Sequence, residues 1–423
     1  MGDIEHGMGG VVLSGEGRLI FAGRALRSFS FGWLSIILAL FLHERGFSAA
    51  EVGAVFTATM VEDALLTMLL ATMAAQVGPA RLMAATAPLI ALGGVLLATA
   101  ESRALLLAGA VLGTLSPNGQ EAGPFAAMEQ SLLPQTVKSG SAVRAFGWYN
   151  VFAFLPAALG AAAAGAVLGG AGRAGFAPLQ AQRAMLLAYA GAGVGLTLLY
   201  ARLAARLRSP GPRKASPSTL GSLGLGPSRR AVLQLAGLQG LDSLAGGFII
   251  QSLLAYWFHL RFDAGPEALG ALFFGTSLLS ALSFLVATRV AERIGLLNTM
   301  VFTHLPSNVL LLAVPFMPTF TGAAAVLLAR HLLSQMDVPT RQAFTMALVS
   351  PEERPAAAGL TASVRALAQA CAPVVAGATM AVAATPVPFL LAGGLKIVYD
   401  LSLYFRFRSV TLPHPPGEAK AGA

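Results

Sequence analysis

Apolar runs of about twenty residues or more decide what this chain can fold into. A helix needs about 20 mostly apolar residues to cross the hydrocarbon layer of a bilayer. The sequence supplies such runs in succession, at 18–43, 49–75, 81–99, 103–128, 142–170, 181–207, 229–259, 266–291, 296–316, 319–347, 355–384 and 386–407. Composition agrees. Of 423 residues, 56% are hydrophobic and 11% charged, whereas a soluble chain carries about a quarter charged residues. The mean hydropathy is +0.70. The expected fold class is therefore an all-α polytopic membrane protein with twelve transmembrane helices.

Charge and cysteine usage exclude other classes. The net charge of +9 raises the possibility of a nucleic-acid partner, but the basic residues form no aromatic-interleaved patch. They fall at the ends of apolar runs, where a membrane protein keeps them. The single cysteine, Cys371, excludes an internal disulfide framework and a Cys-rich metal site. Residues 1–17 are Gly-rich and carry Asp3, Glu5 and Glu16, without the basic start and small-residue cleavage site of a signal peptide.

One connection stands apart. "RSPGPRKASPSTLGSLGLGPSRR" (208–230) is rich in Pro, Gly, Ser and basic residues and falls at the midpoint of the chain. Such composition reads as a flexible linker. It divides the chain into an N-terminal six-helix bundle (1–207), a linker (208–228) and a C-terminal six-helix bundle (229–423). With the N-terminus inside, most of the 28 basic residues lie at inner helix ends, while Arg45, Arg103, Arg173, Arg183 and Arg261 lie outside. The opposite orientation sends the basic linker outside, against the positive-inside tendency. Both termini are thus expected on the cytoplasmic face of the cell's inner membrane.

The two halves carry matching punctuation. His43, Arg45 and Glu51 recur as His259, Arg261 and Glu267, 216 residues later. Gly78 and Gly295, Pro134 and Pro351, Pro156 and Pro373, and Gly160 and Gly377 each lie 217 apart. Four landmarks in order and in register with the helix count point to duplication of a six-helix unit. Glu51 and Glu267 then sit at helix N-termini, where the dipole favours an acid. The plain reading of this motif is an interfacial charge cluster.

Twelve helices, a basic mid-chain linker and two parallel repeats resemble the major facilitator superfamily. That family carries Gly-x-Leu-Ala-Asp-Arg-x-Gly-Arg-Arg after its second helix, often echoed after the eighth. Here "ATRVAERIG" (287–295) offers Ala291, Glu292, Arg293 and Gly295, and "ATMAAQVGPAR" (71–81) keeps Gly78 and Arg81. Ala75 and Gln76 stand where the acid and the arginine belong. Helix 5 keeps Pro156 and Gly160 of the drug antiporters' Gly-Pro-x-x-Gly-Gly element in "LPAALG" (155–160), and helix 4 lacks their arginine. "RHLLSQMDVPTRQ" (330–342) followed by "PEERPAAAG" (351–359) is similar to the second half of an uncharacterised permease subfamily. The resemblance implies a central cavity lined by helices 1, 4, 7 and 10, with Gly78, Arg81, Glu292, Arg293 and Gly295 in gating loops.

Charge inside the hydrocarbon costs about 2.5–3.5 kcal/mol per group on insertion scales, so each such residue is a candidate. Glu62 and Asp63 lie mid-helix 2 and point about 100° apart. They read either as a proton-coupling carboxyl or as a hydrogen-bonded structural acid. Glu121, in "SPNGQEAGP" (116–124), lies where Pro117, Gly119, Gly123 and Pro124 should break helix 4; it reads as a substrate contact or as part of a gating kink. Asp337 and Arg341 have the i,i+4 spacing of a pair. Arg330 has no acid at helical spacing, so its partner comes from another helix or from substrate. Lys396 and Asp400 repeat the i,i+4 spacing and read as structural, as does His304. Arg365 sits roughly ten residues into helix 11. Arg24 can snorkel to the interface; Arg27 is deeper. Arg27, Glu121, Asp242 and Asp337 supply one inner-side charge from each cavity-lining helix, and read as a charge-paired gate or as a static network.

The expected function is secondary transport of a small solute by alternating access, with protons as coupling ion and export of a small organic molecule as the direction. An organic-anion or phosphate-ester carrier is the alternative, because Arg27, Arg330, Arg341 and Arg365 can meet an anion. A membrane-embedded enzyme or a sensor fits less well: the six histidines are scattered, and HExxH, GxSxG, the P-loop and the Rossmann glycine pattern are all missing. No cofactor, metal or nucleic-acid partner is expected. The protein is expected to work as a monomer.

Overall fold

The computed structural model of the chain describes residues 13–113, 115–119, 123–136, 142–207, 226–350, 353–380 and 385–410. Glu121, Pro351 and linker residues 208–225 lie outside them. Among the described residues every regular element is helical. Among the same described residues ten stretches are long and apolar enough to cross a bilayer. Large apolar side chains such as Leu65 (56% exposed), Leu198 (56%) and Val309 (55%) cover the outer faces, a distribution that lipid tolerates and water does not.

The chain divides into two compact units. Unit 1 comprises Met1–Phe47, Ala58–Lys214 and Gly265–Phe274; unit 2 comprises Ser48–Thr57, Ala215–Ala264 and Gly275–Ala423. The first sequence half forms α1 (Gly15–Glu44), α2 (Ala49–Val77), α3 (Pro79–Thr99), α4 (Arg103–Leu112), α5 (Pro124–Leu132), α6 (Ala142–Arg173) and α7 (Pro178–Arg206). The second forms α8 (Arg229–Gly247), α9 (Gln251–Phe262), α10 (Pro266–Ile294), α11 (Leu296–Ala313), α12 (Phe320–Ser334), α13 (Asp337–Leu348), α14 (Arg354–Ala370), α15 (Ala372–Met380) and α16 (Val387–Phe407).

Four of the predicted spans are interrupted, each for a local reason. The fourth breaks into α4 and α5 around Gly119, which takes φ 68°, and Pro124 opens α5. The seventh breaks after Gly246 and Gly247, where the Phe248 and Ile249 amides donate back three residues instead of four. The tenth breaks before Pro339, which has no N–H to offer the Gln335 carbonyl; the Val338 amide takes that carbonyl at 3.3 Å. The eleventh breaks at Cys371, because Pro373 has no N–H to offer the Gln369 carbonyl, and the Cys371 amide turns back onto Ala368 and Gln369 instead. The Gln369 carbonyl lies against Gly247 of α8, where no Cβ would fit.

The duplication is visible in how helices pair. In unit 1, α1 packs on α6 and α7, and α3 packs on α7 and α4. In unit 2, α8 packs on α14 and α16, and α11 packs on α16 and α12. Counted by span, these are the same pairings shifted by six. Gly78 and Gly295 begin α3 and α11 with φ 93° and 84°, a left-handed geometry that favours glycine. Close approach fixes the α1–α6 crossing: a Cβ on Gly160 would collide with the Phe29 carbonyl, with Trp33 N only 3.0 Å away.

Helix ends are tied down by polar contacts. Ser48 and Glu51 form a reciprocal cap at the start of α2, with Ser48 N donating to Glu51 Oε2 at 2.7 Å and Glu51 N to Ser48 Oγ at 3.3 Å. Glu101 accepts from Arg183 at 2.6 Å and Arg45 at 3.0 Å, and these two guanidiniums hold its carboxyl below the usual range. Glu267 pairs with Arg173 inside unit 1. At Glu353, burial pushes the carboxyl up, but the Ser228 side chain and the Gly226 and Ser350 backbone outweigh it and hold the group low.

Candidate functional site

Among the described residues each unit buries a cluster of charge, and the two clusters are built differently. In unit 1, α1 carries Arg27 into contact with Glu129 of α5. The pairing is bidentate, Nη1 to Oε1 at 3.0 Å and Nη2 to Oε2 at 2.7 Å, with both side chains fully buried. Tyr149 of α6 and Tyr200 of α7 each donate to the carboxylate at 2.7 Å. Tyr200 also touches Arg27. Phe125 lies under the guanidinium at 5.1 Å and stacks on Tyr200. A fork-to-fork pair with both carboxylate oxygens further bonded is a satisfied network. Arg24, expected to snorkel, is instead buried with its guanidinium over the Tyr149 ring at 4.6 Å.

In unit 2, five helices converge. Asp242 of α8 accepts Lys396 Nζ from α16 at 2.6 Å and Arg341 Nη1 from α13 at 3.1 Å. The same Nη1 donates to Asp337 Oδ2 at 2.9 Å, the predicted i,i+4 pair. His304 of α11 places Nδ1 2.8 Å from Asp400 Oδ1, and Asn308 Nδ2 donates to Asp400 Oδ2 at 2.8 Å. The other imidazole nitrogen, Nε2, faces Asp242 Oδ1 at 3.9 Å. Arg330 of α12 completes the set; it is 6% exposed, and its Nε has no hydrogen-bond partner among the described residues. Its electrostatic neighbours are Asp242 and Asp337. Arg365, half-buried on α14, donates from Nε to Ser243 Oγ at 3.0 Å.

The sequence expectations divide accordingly. Lys396 and Asp400 do not pair with each other: Lys396 goes to Asp242, and Asp400 goes to His304 and Asn308. The i,i+4 spacing permits a contact, but Asp242 and His304 on neighbouring helices offer each group a better-placed partner. Of the four proposed inner-gate charges, Arg27 pairs with Glu129 within unit 1. Asp242 and Asp337 share Arg341 within unit 2, and Glu121 lies outside the described residues. Glu62 has one buried carboxylate oxygen, Oε2, with no hydrogen-bond partner among them. Asp63 lies over the backbone of Gly123, where an added Cβ would meet its Oδ2 at 2.9 Å. Arg81, Glu292 and Arg293 are exposed beside Gly78 and Gly295. Sequence reasoning missed Glu129, which falls one residue past the predicted fourth span. The signal was Arg27 itself, since a buried guanidinium requires an acid. His304 was read as a lone structural histidine because its partners are about 60 and 100 residues away in sequence.

Comparison with known proteins agrees on the fold. No family model matches the sequence. An uncharacterized membrane protein of Saccharomyces cerevisiae is 23% identical over 421 residues, covering 93% of this chain and 94% of the relative. Among solved structures, a mutant of the nucleoside transporter NupG superposes with TM-score 0.74 at 15% identity, covering 93% of this chain and 100% of that one. A POT family peptide transporter in an auto-inhibited state gives TM-score 0.73 at 13% identity, covering 94% and 97%. The human organic anion transporter TETRAN gives TM-score 0.65 at 17% identity, covering 92% and 98%.

Proposed function

We propose that this chain, whose fold is that of the major facilitator transporters, is a secondary active transporter moving a small organic solute by alternating access. The observation that carries the reading is the buried ionisable cluster of unit 2. Charged groups at membrane depth are costly and by default mark solute or ion pathways. Here α8, α11 and α12 contribute one each, and α13 and α16 two each. The reading includes proton coupling, which the membrane acids Glu62 and Asp63 of α2 and the carboxylates of that cluster support. Export is the direction we favour, from a cell's inner membrane with both termini on the cytoplasmic side and the protein acting as a monomer.

A second reading, carriage of an organic anion or phosphate ester, is favoured by one observation. The Arg330 guanidinium is buried with its Nε unbonded, and an anion would satisfy it. The structural neighbours are named for nucleosides, peptides and organic anions, which supports a polar organic solute in either case.

Everted membrane vesicles, assayed for accumulation across a panel of nucleosides, peptides, organic anions and cationic drugs with and without a protonophore, test the proposal. Accumulation of at least one solute that collapses with the protonophore is the expected result. Absence of accumulation throughout the panel, with the protein folded and inserted, would refute it. Arg330→Ala should abolish flux selectively if the solute is an anion, and Asp63→Asn should abolish the proton-linked component if α2 carries the proton.

A further inference from the structure

An open groove of about 620 Å³ runs between α8 and α16 in unit 2, lined by Leu233, Gln234 and Gly237 of α8 and by Ser402, Phe405 and Arg406 of α16. Helical spacing places it. Arg230, Leu233 and Gly237 fall at i, i+3 and i+7 and form an exposed stripe on α8. Leu233 is 43% exposed and Phe405 62%, so the groove is walled by large apolar side chains. Gly237 leaves a notch in it, because an added Cβ would meet nothing within 4 Å. An apolar face of this kind on a pair of transmembrane helices suits lipid and not water.

One end of the groove is charged. Arg229 and Arg230 open α8, Arg406 and Arg408 close α16, and all are exposed. Arg406 Nε donates to Gln234 Oε1 at 2.9 Å, which ties the guanidinium to the groove wall and leaves both Nη groups available to an anion. The Arg408 guanidinium lies over the Phe405 ring at 5.3 Å. Among the described residues no acid pairs with any of these arginines.

The shared fold does not require this groove. The buried stripe of α1 recurs on α8 215 residues later, Arg27 matching Asp242, and that of α7 recurs on α16 203 residues later, Gly193 matching Lys396. In those registers Arg18 stands where α8 has Leu233, Ala22 where it has Gly237, and Arg202 where α16 has Phe405. Unit 1 thus puts charge on the face that unit 2 keeps apolar and notched.

We propose that the groove binds an anionic phospholipid, one acyl chain lying along Leu233, Gly237 and Phe405 and the phosphate held by Arg406, with Arg230 and Arg408 beside it. A guanidinium binds phosphate through two parallel N–H bonds, and basic pockets between membrane helices take anionic headgroups. From Arg230 to Gly237 the helix rises about 10 Å, so the arginines sit at headgroup level while the notch lies among acyl carbons. A zwitterionic lipid offers the same chains without the net charge, so the arginines select between them. The buried sides of the same two helices carry Asp242 and Lys396, which pair with each other, so a lipid in the groove braces that pair from outside. The assignment does not depend on which solute is moved.

The full-length protein, purified in detergent and stripped of lipid, is titrated with dioleoylphosphatidylglycerol, dioleoylphosphatidylcholine or inorganic phosphate, and the bound species are counted by native mass spectrometry. The expected result is one phosphatidylglycerol bound in preference to phosphatidylcholine, with no comparable uptake of inorganic phosphate. Arg406→Gln should weaken that binding about five-fold, the effect of one basic residue near an anionic surface. Gly237→Leu, whose side chain enters the open notch in place of the acyl chain, should abolish the preference without lowering the thermal midpoint of the lipid-free protein. Arg202→Gln, at the matching place in unit 1, should leave lipid binding unchanged. Equal uptake of the two lipids by the wild type overturns the proposal, as does phosphatidylglycerol binding that neither Arg406→Gln nor Gly237→Leu weakens. Inorganic phosphate bound as tightly as the lipid would also overturn it. So would a dimer that Gly237→Leu dissociates, which would give the groove to a second copy of the chain.

Discussion

At the scale of single residues, the informative comparison is between charges that are fully spoken for and charges that are not. Arg27 and Glu129 have no exposed surface and complete one another. Removing one partner of such a pair strands the other, a loss of about 3–5 kcal/mol, while replacing both with apolar groups of similar volume can be nearly neutral. Glu129→Ala should therefore lower the thermal midpoint of the purified protein by many degrees. Arg27→Met combined with Glu129→Leu should recover most of that loss. Thermal unfolding of the two single variants and the double variant, followed by intrinsic fluorescence, measures the coupling; additive losses would show that Glu129 acts apart from Arg27. Arg330 of unit 2 should behave differently, because its Nε is buried without a hydrogen-bond partner among the described residues. Substitution there should change transport before it changes the melting point.

At the scale of helices, what sequence could reveal depended on whether the signal was local. The spans themselves are local: apolar length gives them, and positive-φ glycines at positions 78 and 295 gave the start of α3 and α11 in matching register. The break of the fourth span was legible from Pro117, Gly119, Gly123 and Pro124. The breaks before Pro339 and Pro373 were less so, because a single proline kinks some membrane helices and leaves others continuous. Pro156 lies inside unbroken α6, while Pro373, its repeat partner, opens a new helix. Local amides take up the freed carbonyls, but whether a break forms depends on how neighbouring helices pack against it, as Gly247 does against Gln369, and that packing is non-local. The same holds for the charge clusters, whose members meet only after the helices pack. Helix crossings also give a prediction. At Gly160 an added Cβ meets the Phe29 carbonyl, whereas at Gly170 on the same helix nothing lies within 4 Å. Gly160→Ala should cost about 1–3 kcal/mol through forced separation of α1 and α6. Gly170→Ala should change stability by no more than about 0.5 kcal/mol. Detergent thermal shift and folded yield on size exclusion check both, and equal behaviour of the two variants would contradict the crossing geometry.

At the scale of the whole molecule, the duplicated pairing of spans suggests two self-sufficient halves, yet the compact units do not coincide with the halves of the sequence. Unit 1 includes Gly265–Phe274 from the start of α10, and unit 2 includes Ser48–Thr57 from the start of α2. The contacts explain why. Gly165 of α6 accepts the backbone of Gly270, with a hypothetical Cβ only 3.1 Å from the Gly270 Cα, and Arg173 reaches Glu267. In unit 2, Gly377 lies on Gly53, with its hypothetical Cβ 2.9 Å from the Gly53 Cα, and Val374 N donates to Thr57 Oγ1 at 3.0 Å. A fragment of residues 1–216 thus lacks the segment that covers Gly165 on α6, and a fragment of residues 217–423 lacks the segment that covers Gly377 on α15. Small-residue faces of this kind gain their stability from close backbone packing, since lipid offers no hydrophobic drive to replace a lost partner. Expressed singly, each fragment should be unstable in the membrane. Co-expressed, the two should copurify through a tag on either one, because each restores the other's missing segment. Gly165→Leu in the first fragment or Gly377→Leu in the second should reduce the copurified yield, whereas Gly170→Leu should not. Fragments that are each monodisperse alone and fail to copurify would show that the exchanged segments are dispensable to the units they join.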